Sequence, residues 1–231
     1  MHAAWHGAWS FDKTKKILEQ SGAQVITFDL PGHGKDQTPI KDVSFEAYVQ
    51  KVRNEIMKLD EPVVLVGHSL AGFVVAQVAE DIPDKIEKLI FISAMISHEG
   101  KTVYDIVNAD TENQLLANLI FAEDQSWATV NEDTLKNVVY NKATAQQIAE
   151  AAPHLVYQAT QPFFAAVETS VNAFGKIDKT YIVCEYDKIL PPAAQRNLIE
   201  KVGIGKSLTL STGHVPNVED PAALAEAILN S

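Results

Sequence analysis

Fourteen consecutive residues of the chain read Val63-Val64-Leu65-Val66-Gly67-His68-Ser69-Leu70-Ala71-Gly72-Phe73-Val74-Val75-Ala76. Their β-branched start, Gly-containing centre and apolar end predict a strand, a tight turn and a helix in direct succession. Ser69 lies at the turn, with Gly67 two residues before it and Ala71 two residues after it. Because so tight a turn brings the strand and helix backbones together, only Gly or Ala fits at those two positions. The spacing makes Ser69 a candidate nucleophile.

Two other interpretations of residues 67–72 stay open at this point. Short turns rich in Gly and Ser also bind phosphate groups, and they occur as ordinary strand-to-helix connections in parallel sheets. The rest of the chain has to distinguish a nucleophile from these alternatives.

Composition limits the class of protein. The chain has 231 residues, of which 46% are hydrophobic, and this size predicts one substantial domain. Its 30 acidic and 19 basic residues leave a net charge of -11, which disfavours nucleic acid and anionic membranes as partners. Cys184 is the only cysteine, so an intramolecular disulfide and a cysteine-rich metal site are excluded. With no membrane-span pattern and no secretory leader, we expect a soluble cytoplasmic protein.

Strand and helix patterns alternate along most of the chain, which predicts a mostly parallel sheet flanked by helices. The predicted strands are 24–29, 88–93, 180–184 and 207–210 together with one that begins at Val63, and the predicted helices are 11–20, 45–59, 192–202 and 221–229 together with one directly after Ser69. Ser44 is the predicted N-cap of the second helix. The alternation stops between residues 97 and 175. We therefore predict a core formed by residues 1–96 and 176–231, with residues 97–175 as a mostly helical cap inserted over the sheet.

Three polar residues, Ser69, Asp187 and His214, each come within a few residues of the end of a predicted strand. Because the carboxyl ends of parallel strands meet at one edge of a sheet, we expect these side chains to lie together. A serine hydroxyl becomes a good nucleophile when an imidazole takes its proton, and His214 can serve as that base. Asp187 would orient the imidazole and stabilise its charged form. Glu185 is the reserve candidate for the acid.

Several segments together resemble the branch of the α/β-hydrolase superfamily that contains plant methyl-ester esterases, hydroxynitrile lyases and bacterial esterases. The matching segments are His2-Ala3-Ala4-Trp5-His6-Gly7-Ala8-Trp9, Asp29-Leu30-Pro31-Gly32-His33-Gly34, Gly67-His68-Ser69-Leu70-Ala71-Gly72, Glu185-Tyr186-Asp187 and Thr212-Gly213-His214. The resemblance implies an α/β-hydrolase fold with a cap over the site. It also implies that the backbone N–H groups of Ala4 and Leu70 form an oxyanion hole.

The chain departs from this family in two places. The family has a central strand before its His-Gly segment, whereas this chain begins at Met1 with no residues to form that strand. Because an absent central strand leaves neighbouring strand edges unpaired, we expect that the start is truncated or that something else fills the gap. The second departure is Ala3, where the family usually has Gly, and it would tighten the oxyanion loop.

Two residues next to the predicted site favour ester hydrolysis over the lyase reaction. The lyases resemble one another in a Thr at the position of Ala4 and a Lys directly after the catalytic His, where this chain has Val215. We therefore expect a serine carboxylesterase that hydrolyses small carboxylic esters through an acyl-enzyme. A hydroxynitrile-lyase-like C–C lyase is the alternative enzyme. A non-catalytic hydrolase fold that binds a small molecule is the alternative outside enzymes, and loss of the first strand would favour it.

The cap segment supplies most of the large side chains that could line a substrate pocket, and Trp127 is the candidate for that role. Most of the others are expected to be packing residues: Phe121, Tyr140, Tyr157, Phe163 and Phe164. No pair of the remaining histidines has metal-ligand spacing with a carboxylate, so we expect neither a metal nor a cofactor. The expected partner is a small-molecule ester. The sequence leaves the substrate's identity open and is compatible with a homodimer.

Overall fold

A parallel four-stranded sheet lies at the centre of the computed structural model, which describes residues 1–231. In chain order the strands of the whole molecule are β1 (Val63–His68), β2 (Ile86–Ile92), β3 (Leu119–Phe121), β4 (Trp127–Val130), β5 (Gln158–Ala159), β6 (Asp178–Cys184) and β7 (Lys206–Leu210). The central sheet has the order β1-β2-β6-β7, with every neighbouring pair parallel. The alternation of strands and helices thus correctly predicted a parallel sheet and these four of its strands.

Helices cover both faces of this sheet. The helices of the whole molecule are α1 (Asp12–Gln20), α2 (Phe45–Ile56), α3 (Ala71–Asp81), α4 (Val103–Asn108), α5 (Glu132–Thr134), α6 (Ala145–Ala151), α7 (Pro192–Val202), α8 (Pro216–Glu219) and α9 (Pro221–Leu229), of which α4, α5 and α6 belong to the segment 97–175. The hydroxyl of Ser44 accepts the N–H of Ala47 at 3.1 Å, which confirms it as the N-cap of α2. No helix combines the length and the apolar character that crossing a bilayer requires.

Successive side chains of the central strands point to opposite faces and build two apolar clusters. On one face, Ile90, Ile92 and Ile182 pack with Phe11 and with side chains of α9. On the other face, the large cluster includes Leu89, Phe91, Tyr181 and Val183 and side chains of α2 and α3. Both faces of the sheet are therefore buried, which explains the nearly continuous apolar runs in its strands.

The segment 97–175 contains a small sheet that the sequence patterns did not predict. Strands β3, β4 and β5 form an antiparallel sheet in that order, alongside α4, α5, α6 and several 3-10 turns. These strands are only two to four residues long, so they carry too few positions to show a period of two. Helical turns still make up most of the regular structure of this segment, as expected, and the small sheet adds to them.

The predicted strand 24–29 is also wrong, because those residues form neither a strand nor a helix. The Met1 ammonium donates to Val66 O at 2.6 Å, and His68 N donates to Met1 O at 3.2 Å, a parallel bridge centred on Gly67. No strand pairs with the rest of that edge of β1, where Val64 is 45% exposed. Residues 24–29 thus have no neighbouring strand with which to form a ladder.

The connection from β1 to α3 is as closely packed as its composition suggests. A Cβ atom added to Gly67 would lie 2.7 Å from Val75 Cγ2 and 3.0 Å from Ala71 O, closer than real Cβ contacts. One added to Gly72 would overlap the carbonyl oxygen of Met95, which belongs to the loop after β2. The small residues therefore let strand, turn, helix and the neighbouring loop meet around Ser69.

We predict that Gly72→Ala lowers the free energy of unfolding by about 1–3 kcal/mol, because the added methyl group overpacks this junction. The intrinsic preference of a helix for Ala, about 1 kcal/mol, acts in the opposite direction and is too small to compensate. Urea unfolding followed by circular dichroism measures the change. Gly205→Ala is the matched control, because its added Cβ has no heavy atom within 4 Å. Equal stability of the two variants would contradict this explanation of the turn.

Candidate active site

Ser69 lies at the end of β1 in a backbone conformation that non-glycine residues rarely adopt, with φ of 56°. Its N–H donates to Ile92 O at 3.1 Å, and its carbonyl oxygen accepts from Gly72 N at 3.0 Å and Met95 N at 3.2 Å. These hydrogen bonds hold the strained residue in place, at a conformational cost of about 1–3 kcal/mol. The turn thereby directs the hydroxyl of Ser69 away from the strand and towards the loop that follows β7.

His214 lies in that loop, and its ring joins the other two predicted residues. Nε2 is 2.8 Å from Ser69 Oγ, and Nδ1 is 2.7 Å from Asp187 Oδ2. Because the carboxylate only accepts, Nδ1 carries the hydrogen and Nε2 is left free to accept the hydroxyl proton of Ser69. His68 Nε2 donates to the carbonyl oxygen of His214 at 2.7 Å and so fixes the backbone of the loop.

Asp187 is buried and surrounded by hydrogen-bond donors. Its Oδ1 accepts the backbone N–H groups of Ile189 at 2.7 Å and Leu190 at 2.9 Å, while Oδ2 accepts the hydroxyl of Ser93 in addition to His214. A buried carboxylate needs such partners to offset its lost hydration. Glu185, the reserve candidate, is exposed and pairs with Arg196 at 3.3 Å. The structure therefore brings Asp187, and not Glu185, to the histidine.

The backbone N–H groups of Ala4 and Leu70 have no acceptor within the protein, although both residues are buried. Buried N–H groups are nearly always paired, so two unpaired ones beside Ser69 form a place for an acceptor atom. Ala3 has no positive φ and so fits its position without backbone strain.

Residues 97–175 hold the loop that carries Ala4. His6 contacts Ala4 O through Nδ1 and the Tyr140 hydroxyl through Nε2, each at 2.7 Å. Burial lowers the pKa of His6 to about 4, so its ring is neutral at pH 7. Trp5 Nε1 donates to Ala128 O at 2.8 Å. No sequence signal indicated this contact, because Tyr140 lies 134 residues away from His6.

A cavity of about 570 Å³, including its open mouth, lies directly over Ser69. Hydrophobic residues account for 14 of the 15 that line it, and Ser69 is the exception. Trp127 does not line this cavity; its ring stacks on that of Tyr157, with 4.0 Å between centroids. The prediction for Trp127 therefore fails, because the pairing of β4 with its neighbours decides where this side chain points.

Glu219 is a partly buried carboxyl group that sequence analysis did not identify. Its Oε2 accepts Gly213 N at 2.5 Å, directly before His214, and its Oε1 accepts Lys142 N of the cap segment at 3.2 Å. Burial raises the pKa of Glu219 to about 7. The side chain thus joins the histidine loop to the cap segment. No group of three or more His, Cys, Asp or Glu side chains is arranged to hold a metal ion.

Comparison with known proteins finds relatives along nearly the whole chain. The sequence profile of the "Alpha/beta hydrolase family" matches residues 1–227. Methylesterase 3 from Arabidopsis thaliana is 28% identical over 248 residues, covering 99% of this chain and 93% of that protein. The structure of a pyrethroid hydrolase from Sphingobium faniae JZ-2 is 25% identical, with a TM-score of 0.85 and coverage of 99% and 94%. Polyneuridine aldehyde esterase is 21% identical with a TM-score of 0.88, covering 99% and 96%, and shows likeness of fold.

We predict that Glu219 makes the protein less stable as the pH rises from about 4.5 to about 7. Because the pKa of Glu219 is raised from 4.5 to about 7 in the folded state, the unfolded chain releases this proton first. The folded state then binds more protons within that window, and stability falls by up to about 3 kcal/mol across it.

Urea unfolding of the wild type and of Glu219→Gln at several pH values tests this prediction. The stability of the wild type relative to Glu219→Gln should fall between pH 4.5 and pH 7, since glutamine does not titrate. Glu61→Gln, at an exposed carboxyl group that forms no hydrogen bond, is the matched control. A constant difference between the wild type and Glu219→Gln would show that Glu219 ionises at the same pH in both states.

Proposed function

Because the chain belongs to the alpha/beta hydrolase family, we propose that it is a serine carboxylesterase that hydrolyses small carboxylic esters through an acyl-enzyme. The observation that carries the proposal is the continuous hydrogen-bond path from the Ser69 hydroxyl through His214 to Asp187, at 2.8 and 2.7 Å. The names of the relatives, a methylesterase and a pyrethroid hydrolase, agree with ester hydrolysis. A cytoplasmic location and a homodimer stay predictions from the sequence.

In the first half of the reaction, the Ser69 oxygen attacks the ester carbonyl as its proton passes to His214 Nε2. Asp187 stabilises the imidazolium that forms. The carbonyl oxygen becomes negatively charged and accepts the free N–H groups of Ala4 and Leu70. One donor of this kind accounts for about 10²- to 10³-fold in kcat in other serine hydrolases. His214 then protonates the leaving alcohol, and the acyl group remains on Ser69.

In the second half, water replaces the alcohol. His214 takes a proton from the water, the resulting hydroxide attacks the acyl carbon, and the same two N–H groups bind the oxyanion again. The bond to Ser69 Oγ breaks, and the serine recovers its proton from His214. The products are a carboxylic acid and the enzyme in its starting form, so the cycle uses no cofactor.

The residues around Ser69, His214 and Asp187 do not support the lyase alternative. A lyase acting on a hydroxynitrile has to hold a hydroxyl group and a leaving cyanide by hydrogen bonds or charge. Ala4 and Val215 occupy the two positions concerned, and neither side chain can donate a hydrogen bond. A purely binding role is also disfavoured, because it does not require the aligned hydroxyl, imidazole and carboxylate.

We predict that the wild type hydrolyses p-nitrophenyl esters and that Ser69→Ala lowers kcat at least about 1000-fold, since the nucleophile is lost. Ser207→Ala, at an exposed position of β7, is the matched control and should keep full activity. Mass spectrometry after treatment with an organophosphate should locate one adduct on Ser69 in the wild type and none in Ser69→Ala.

Mandelonitrile cleavage is measured beside the ester assay. A folded wild type that cleaves mandelonitrile and no ester would replace the esterase proposal with a lyase. Inactivity towards both substrates would favour a binding module. Ester hydrolysis that survives in Ser69→Ala would assign the nucleophile to another residue.

A further inference from the structure

The cavity over Ser69 offers almost no polar group to a bound molecule. Its floor consists of core residues, among them Ala4, Leu70, Met95 and Ile189, and its walls come from the cap segment. The Ser69 hydroxyl lies at the floor, and the lining contains no charged side chain. Because a charge or an unpaired polar group buried there would cost several kcal/mol, the cavity selects neutral apolar groups.

Three aromatic residues that line this cavity are also open to solvent. Tyr104 is 40% exposed, Phe121 is 47% exposed and Phe164 is 56% exposed. A side chain that borders both the cavity and the solvent lies at the mouth, and we call these three residues the aromatic rim. Large aromatic rings exposed together on a protein surface commonly mark a place where a ligand or partner binds.

The aromatic rim is a built feature of the cap segment. The rings of Tyr104 and Phe164 lie 5.2 Å apart, within the range of a direct aromatic contact. A β-bridge between Thr102 and Ala166 joins the chain next to each of them. Thr102 also begins α4 with a capping box, which fixes the helix that carries Tyr104. The two rings are therefore held together by backbone and side-chain contacts.

We infer that the aromatic rim is a subsite for the outer part of an elongated, neutral, apolar ester. The ester group would lie at Ser69, the nearer apolar carbons would fill the cavity, and the farther ones would pack against the rim. This inference rests on the proposed esterase function and adds a substrate class to it. Very short esters would leave the rim empty, and esters with a charged chain would place that charge against an apolar wall.

The inference can be tested in the wild type by varying the length of the ester's acyl chain. Each methylene group that enters an apolar site contributes about 0.8 kcal/mol, which corresponds to about fourfold in kcat/KM. For p-nitrophenyl esters below their micelle concentration, kcat/KM should therefore rise from the acetate to chains long enough to reach the rim. A preference for acetate over octanoate and dodecanoate would overturn the inference.

Variants at the rim distinguish its contribution to ester binding from that of the deeper cavity. Phe164→Ala and Phe121→Ala should each lower kcat/KM for the dodecanoate ester about 5- to 20-fold, mainly through KM, because each removes an exposed ring that packs on the chain. The loss of kcat/KM for the butyrate ester should be clearly smaller, because that acyl chain is too short to reach the rim. Tyr157→Ala is the matched control, since Tyr157 is 54% exposed in the same segment but does not line the cavity. The inference would be overturned if the rim variants lost kcat/KM equally on both esters. It would also be overturned if Tyr157→Ala lowered kcat/KM for the dodecanoate ester as much as the rim variants do.

A binding measurement distinguishes failure of this inference from failure of the proposed function. Calorimetric titration of Ser69→Ala with 1-dodecanol, a neutral apolar probe that needs no catalysis, should show binding that weakens when Phe164→Ala is added. If the wild type hydrolyses no ester, that binding result would retain the rim as a binding site and reject the esterase. If the wild type hydrolyses esters but Phe164→Ala leaves the affinity for 1-dodecanol unchanged, the esterase proposal is retained and the rim is rejected.

Discussion

The close approach of β1, α3 and the loop after β2 at Ser69 is the constraint on which the rest of the site depends. Small residues at positions 67, 71 and 72 allow this approach, since a Cβ at Gly67 or Gly72 would collide with neighbouring backbone or side-chain atoms. The turn holds Ser69 at a positive φ and leaves the N–H of Leu70 without a protein acceptor. The strained geometry therefore exposes a hydroxyl and a hydrogen-bond donor side by side at the end of a strand.

Hydrogen bonds from distant parts of the chain then align the groups around this turn. Asp187 is held by two backbone N–H groups and by Ser93, while the carbonyl of His214 is held by His68. Glu219 links the backbone before His214 to the cap segment. These hydrogen bonds offset much of the hydration that the groups lose on burial, so the polar site persists beneath an apolar cavity.

The cap segment both holds the loop that carries Ala4 and lines the cavity over Ser69. Tyr140 and Ala128 hold the loop that carries Ala4, through His6 and Trp5. The same segment supplies most of the apolar walls over Ser69. Movement of this segment would therefore change the position of the free N–H group of Ala4 and the shape of the cavity together. β1 pairs with β2 along one edge, and its other edge is paired only through Met1.

The sequence alone predicted the four strands of the central sheet and pointed to Ser69, Asp187 and His214, because tight turns and strand ends leave local signals of residue size and spacing. Ala4 and Leu70 were implied only by the family resemblance. The other features of the fold and the site were decided only by the tertiary structure. Residues 24–29 form no strand for want of a neighbour, the strands of the cap are too short to show a period, and the pairing of β4 turns Trp127 away from the cavity. Glu219 and the aromatic rim acquire their environments from residues far away in the chain. Burial and pairing of this kind depend on long-range packing, which no local pattern encodes.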